Sequence, residues 1–120
     1  MMNDHGLDNL LSLDGVQLNI EADYWVKFEA KKVAETPDRP HGIRYCLTLH
    51  DGQNQRLMGF DNAHAVKVSS GYKGRRFAYD HHHRHSTADI IEYEFQTPEQ
   101  LLQDFWKEVD EVLEKRRYDK

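Results

Sequence analysis

The sequence predicts an α+β fold: an antiparallel β-sheet of about five to six strands, a long C-terminal α-helix packed on one face, and a short N-terminal helical turn. Three observations carry this. Between residues 16 and 95, apolar residues recur with a period of two in short runs separated by Asp, Asn, Gly and Pro turns. From Thr97 the period changes to that of a helix and holds nearly to the end. The chain has 120 residues, 38% hydrophobic and 31% charged. That length suffices for one modest core and not for two, so residues 1–120 are expected to form a single domain.

Taken in order, Gly6 to Leu13 is apolar at helical spacing but spans only one or two turns before Asp14-Gly15 redirects the chain. Val16, Leu18 and Ile20 then alternate with polar residues, and Tyr24, Val26, Phe28 and Ala30 alternate with Lys27, Glu29 and Lys31. This is one bent strand, or two joined near Asp23. Residues 34–42 hold two prolines and a glycine and are expected to loop. Ile43, Tyr45, Leu47 and Leu49 alternate with Arg44, Cys46, Thr48 and His50, and residues 55–60 return as a hairpin partner after the turn Asp51-Gly52-Gln53-Asn54. Residues 61–64 are expected to interrupt the pairing, 65–68 to be strand-like, 69–74 to loop, and 75–80 to be extended. Ile91, Tyr93 and Phe95 mark the last strand.

The helix start is the clearest local signal. Thr97-Pro98-Glu99-Gln100 combines an N-cap, proline at the first helical position and glutamine at the capping-box position. Leu101, Leu102, Phe105, Trp106, Val109, Val112 and Leu113 form one stripe, with Asp104, Glu108, Glu111 and Lys115 expected to face water. Lys115, Arg116 and Arg117 complement the helix dipole at its end. Phe105 and Trp106 also leave room for a homodimer through this helix, although a sheet-covering helix explains the same residues.

No apolar run approaches the ~20 residues needed to span a bilayer, and the N-terminus lacks the order of a signal peptide. Cys46 is the only cysteine, so no internal disulfide can form. A cytoplasmic protein without a membrane partner is expected. Net charge is -5, but it is unevenly spread. Residues 1–62 carry 10 acids and 6 bases, and residues 89–120 carry 10 acids and 5 bases. Residues 63–88 carry one acid, Asp80, against Lys67, Lys73, Arg75, Arg76 and Arg84, and hold five of the eight histidines. A basic island inside an acidic chain is a local binding feature.

Within that island, His81, His82, His83 and His85 fall in five positions. Three readings compete. As a strand, alternation places His81, His83 and His85 on one face, where imidazoles can bind zinc, nickel or copper. Residues two apart on a strand stand roughly 6–7 Å from each other, so a tight site needs further ligands such as His64, His50 or Asp61. Alternatively, imidazole chemistry suits metal-free RNA cleavage, which needs a base for the ribose 2′-OH, an acid for the leaving oxygen and cations for the phosphorane. His83 and His85 are the candidates for acid and base, with His81 and His64 nearby and Asp80 or Asp61 orienting an imidazole. Arg84 assists them. Lys73, Arg75, Arg76 and Arg44 are candidate phosphate contacts, and Tyr79 and Tyr72 can stack on bases. This reading explains island and histidines together, and it requires no cofactor. The third reading is an inert solvated loop.

Several segments resemble one known family. Pro40-His41-Gly42-Ile43-Arg44-Tyr45-Cys46-Leu47-Thr48-Leu49-His50 resembles the central segment of the TumE-type toxins of bacterial toxin–antitoxin pairs. So do Gly59-Phe60-Asp61-Asn62-Ala63-His64-Ala65-Val66 and the run Asp80-His81-His82-His83-Arg84-His85. Tyr93-Glu94-Phe95 and Leu101-Leu102-Gln103-Asp104-Phe105-Trp106-Lys107-Glu108-Val109 resemble that family's C-terminal region. The resemblance runs over roughly residues 13–117. It implies a toxin with a helix-turn-helix antitoxin that binds it and represses the shared operon, and it points to cellular RNA as the target. The expected function is a toxin acting as a small metal-independent endoribonuclease. The alternative is a non-enzymatic metal-binding or regulatory module built on residues 81–85.

Overall fold

The structure, a computed structural model, describes residues 5–36, 42–68, 71–78 and 89–118. Its elements follow in the order α1 (His5–Ser12), β1 (Gln17–Glu21), β2 (Tyr24–Lys32), β3 (Ile43–His50), β4 (Arg56–Val68), β5 (Gly71–Ala78), β6 (Asp89–Tyr93) and α2 (Pro98–Tyr118). The strands pair in sequence order, each antiparallel to the next, as one six-stranded sheet. The expected α+β architecture is what the chain adopts.

Strand alternation divides the sheet into two faces. One carries Val26, Phe28 and Ala30 of β2, Tyr45, Leu47 and Leu49 of β3, and Met58 and Phe60 of β4, all buried. Helix α2 lies on this face. Its stripe of Leu101, Phe105, Val109 and Leu113 is buried, and the Phe105 ring meets Phe28 at 5.7 Å and Phe60 at 6.2 Å, edge to face. Such aromatic pairing adds to the area buried. Leu10 anchors α1 in the same core.

The ends of α2 are fixed by side chains. Thr97 Oγ1 accepts the Gln100 N–H at 3.0 Å, as an N-cap should. Gln100 does not complete the capping box, because its Nε2 donates to Asp104 Oδ1 instead. Asp104 and Glu108 are not solvent-facing as the helical stripe suggested. Asp104 accepts the Tyr93 hydroxyl, and Glu108 pairs with Arg76 of β5. Near the other end, Arg116 donates to the Tyr24 hydroxyl at 3.1 Å and approaches Asp51, while Arg117 pairs with Glu21 and Glu114.

Of the two arrangements expected for residues 16–30, the chain adopts the pair of strands, joined by a tight turn in which Ala22 has φ 48°. Two elements, β4 and β5, differ from the sequence expectation. Residues 61–64 do not break β4, which continues to Val68 with a shift of register between Asp61 and Val66. β5 correspondingly begins at Gly71 rather than beyond Gly74. The shift is accommodated by one side chain. Cys46 is the last β3 residue paired with β4, opposite Asp61. Beyond it, Asn62 Oδ1 accepts the Tyr45 N–H at 3.0 Å and Asn62 Nδ2 donates to the Ile43 carbonyl at 2.7 Å. The carboxamide thus replaces the backbone ladder, and Asn62 is only 2% exposed. Gly74 belongs to the same junction, since a Cβ there would stand 2.6 Å from Tyr45 Oη and 3.0 Å from the Asp61 carbonyl.

Asn62→Ala is expected to lower the unfolding free energy by about 2–4 kcal/mol in urea, because two buried backbone groups lose their partners. Thr97→Ala, which removes one exposed cap, should cost roughly 1 kcal/mol in the same measurement.

Candidate functional site

The opposite face of the sheet is not covered by either helix. Alternation gives it Trp25, Lys27, Glu29 and Lys31 from β2, and Arg44, Cys46, Thr48 and His50 from β3. The cross-strand register adds Gly59 and Asp61 from β4, Arg75 and Phe77 from β5, and Ile90 and Glu92 from β6.

At the centre of this face, Asp61 and Arg75 stand opposite each other in the register. Arg75 Nε donates to both carboxylate oxygens of Asp61, at 3.2 and 3.4 Å. Asp61 is 3% exposed. Breaking such a buried pair from one side leaves an uncompensated charge, so the pair holds both groups in place. Next to it lies Phe77, also buried, with the guanidinium carbon of Arg56 4.9 Å and that of Arg75 5.1 Å from its ring centroid. Gly59 makes room for this ring: a Cβ there would stand 2.6 Å from Phe77 Cζ and 2.8 Å from the Leu47 carbonyl.

These residues border a concavity of about 500 Å³ lined by Glu29, Arg44, Cys46, Arg56, Asp61 and Arg75, among others. Lys31 also lines it and bonds Asp14 at 3.1 Å. Among the described residues, no carboxylate pairs with Arg44 or Arg56, and both are exposed. Two unpaired guanidiniums beside a third that is held by Asp61 form a surface suited to phosphate, which arginine grips through paired N–H donors.

The titratable groups nearby are shifted away from nucleophilic or acid–base use. Burial, then the Asp61 and Glu29 carboxylates, push the Cys46 thiol up to about 11 despite Arg56 and Arg75. It is a neutral thiol at pH 7 and no nucleophile. Burial and then the Asp61 charge push the Tyr45 hydroxyl up as well. Burial first, then the charges of Arg56 and Lys27, hold His50 below the usual imidazole range. Its ring stacks on Trp25 at 4.0 Å, and its Nε2 lies 2.8 Å from Thr48 Oγ1. Its Nδ1 is buried with no hydrogen-bond partner among the described residues.

The structure brings together three of the residues singled out from sequence: Arg44, Asp61 and Arg75. Arg76, expected beside them as a phosphate contact, points to the other face and pairs with Glu108. The physical reason is strand alternation: Arg75 and Arg76 are neighbours and must face opposite ways. His64 lies on β4 and Lys73 on β5, opposite Val66. Tyr79, Asp80, His81, His82, His83, Arg84 and His85 lie outside the described residues. β5 ends at Ala78 and β6 begins at Asp89, and these two residues pair with each other at one end of the sheet. Among the described residues, no three His, Cys, Asp or Glu side chains assemble as a metal site, and no helix is long and apolar enough to cross a membrane.

Arg56 was missed from sequence. Simple alternation sets it with Met58 and Phe60, toward the helix. A register shift between Leu49 and His50 places it opposite His50, and its guanidinium reaches Phe77.

A family model described as Toxin TumE matches residues 11–113. The chain belongs to the TumE toxin family. Membership identifies it with the toxin side of a toxin–antitoxin system and implies an antitoxin partner. Comparison with curated proteins and with solved structures gives no match. In this TumE-family chain, the matched region takes in β1 to β6 and all but the last residues of α2.

Alkylation of Cys46 in the native TumE-family chain should follow a midpoint near pH 11. At pH 9, where an ordinary thiol is about three-quarters ionised, its rate should be lower by a factor of about seventy-five. Asp61→Asn removes a charge that disfavours the thiolate and should shift the midpoint down.

Proposed function

We propose that this TumE-family toxin is a metal-independent endoribonuclease that holds single-stranded RNA against the helix-free face of its sheet. The supporting observation is the concavity in which Arg44 and Arg56, without a carboxylate partner among the described residues, stand beside the Asp61-anchored Arg75. A polyanion satisfies these guanidiniums, and a groove that takes a short single strand needs no net-positive protein. Arg75 is a fixed donor. Asp61 serves by holding it, which leaves Asp80 to orient an imidazole.

The chemistry in this reading belongs to His83 and His85. One accepts the ribose 2′-OH proton, and that oxygen attacks the adjacent phosphorus to form a cyclic phosphate. The other protonates the departing 5′-oxygen. Arg84 and Arg75 stabilise the charge that gathers on the phosphorane. His81 and His64 are the next imidazoles in reach along the chain, Lys73 adds a phosphate contact, and Tyr79 offers a ring for a base. Two considerations support this division of labour. The groove offers arginines to an anion and, among the described residues that line it, holds no histidine to transfer protons. The histidine run joins β5 to β6, the strands that carry Arg75 and Glu92. The partner is a helix-turn-helix antitoxin.

Purified chain and labelled RNA test the proposal. Cleavage should persist in EDTA and fall by about a hundred-fold or more in His83→Ala and His85→Ala. Arg44→Glu with Arg56→Glu should weaken RNA binding and reduce the slope of log affinity against log salt by about 1.4, the value for two lost phosphate contacts on a single strand. Arg76→Gln, on the other face, should leave that slope unchanged. Absence of cleavage by folded protein, or full cleavage by both histidine variants, overturns the assignment.

A further inference from the structure

We propose that the free edge of β6 is the antitoxin-docking site, and that the antitoxin adds a basic strand to the sheet there. The sheet has two edges, β1 and β6. Natural edge strands are protected against further pairing by bulges, charges or covering elements, because they present unpaired N–H and C=O groups. β1 has such protection: its register shifts between Asn19 and Glu21, and Glu21 is tied to Arg117 of α2. β6 has no such shift of register, and its charged Glu92 and its Tyr93, tied to Asp104 of α2, both lie at its C-terminal end, past Ile90 and Ile91. It pairs with β5 without a break from Gly74↔Tyr93 to Ala78↔Asp89, and so offers a regular template.

The side chains of β6 point the same way. Ile90 lies on the helix-free face, opposite Phe77, and Ile91 on the helix face, opposite Arg76. They are 51% and 49% exposed, so the strand shows apolar surface on both faces at once. A single helix or loop laid on one face would cover only one of them. A strand added at the edge covers both, since its own side chains alternate. Beside the edge, a cleft of about 290 Å³ between β6 and α2 is lined by Phe60, Ile91, Tyr93, Asp104, Lys107 and Glu108, among others, and gives one incoming side chain a place to sit.

Charge selects the occupant. Residues 89–120, the stretch of sequence that contains β6 and α2, hold 10 acids against 5 bases. Within the cleft, Arg76 is already paired with Glu108, and Glu92 is exposed on the strand itself. A second copy of this chain would bring acid to acid and, paired antiparallel about Ile91, would set Glu92 against Ile90. A basic strand meets no such conflict. Antitoxin binding is the interaction that family membership implies. The antitoxin segment should carry two consecutive apolar residues opposite Ile90 and Ile91, flanked by Lys or Arg opposite Glu92.

The test uses the full chain and the antitoxin co-expressed with it. Ile90→Lys with Ile91→Lys should weaken antitoxin binding by about a hundred-fold, and Leu18→Lys, on the β1 edge, should leave it unchanged. Growth inhibition by the double variant should persist and no longer be relieved by the antitoxin. Hydrogen exchange on the unmodified complex gives a readout that does not depend on a variant folding, and β6 amides should gain protection. Unchanged affinity of the double variant overturns the proposal. So does protection confined to β1 or to the arginine-lined groove. Concentration-dependent dimerisation of the free chain that the double variant abolishes also overturns it, by assigning the edge to a second copy.

Discussion

The point on which the sheet depends is the place where β4 leaves β3. An antiparallel ladder that simply ended at Cys46↔Asp61 would give neither the Tyr45 N–H nor the Ile43 carbonyl a partner from the β4 backbone. Asn62 resolves this by presenting a carboxamide, which has the same donor and acceptor as a peptide group, to both at once. The neighbouring residue, Asp61, faces the other way and fixes Arg75. Two adjacent polar residues therefore serve opposite faces, one closing the core side and the other building the groove. Gly74 lets β5 approach this junction, because any side chain there would meet the Tyr45 hydroxyl.

The two faces of the sheet then take different roles for an elementary reason. One long amphipathic helix has one apolar stripe and covers one face. Phe28, Phe60, Phe105 and Trp106 pack there, and two polar pairs lie on that side: Arg76 with Glu108 and Tyr93 with Asp104. The other face has no helix to bury it and carries charge instead. Its one large buried ring, Phe77, lies over Gly59 and under two guanidiniums, so arginine stems and planes serve as its cover. The same arginines that shield the ring are those left facing the groove.

The site was only partly legible in the sequence. Arg44 and Asp61 could be found because each lies in a segment whose alternation or loop-like character marks it as polar and accessible. Arg75 came from the basic island, but the island alone could not separate it from Arg76, which strand alternation sends to the opposite side. Arg56 was not legible at all. A shift of register at the start of β4 turns it toward Phe77, and such a shift depends on how two strands meet rather than on the residues of either one. The sequence marks Cys46 only as the single cysteine, and it is burial, with Asp61 beside it, that keeps its thiol neutral.

What the sequence determined by itself was the order and type of the elements: period-two runs for the strands, a Thr-Pro start and 3.6-residue stripe for α2, and turns at Asp14-Gly15 and Asp51-Asn54. These are local patterns, set by backbone geometry over a few residues. Tertiary structure alone decided that residues 61–64 continue a strand instead of breaking it, that Asp104 and Glu108 face partners instead of water, and which arginines share a groove. Each of these turns on a partner far away in sequence: Ile43 and Tyr45 for Asn62, Tyr93 and Arg76 for the helix acids, Phe77 for Arg56. The period of a segment says which residues share a face, and only the packed sheet says what that face meets.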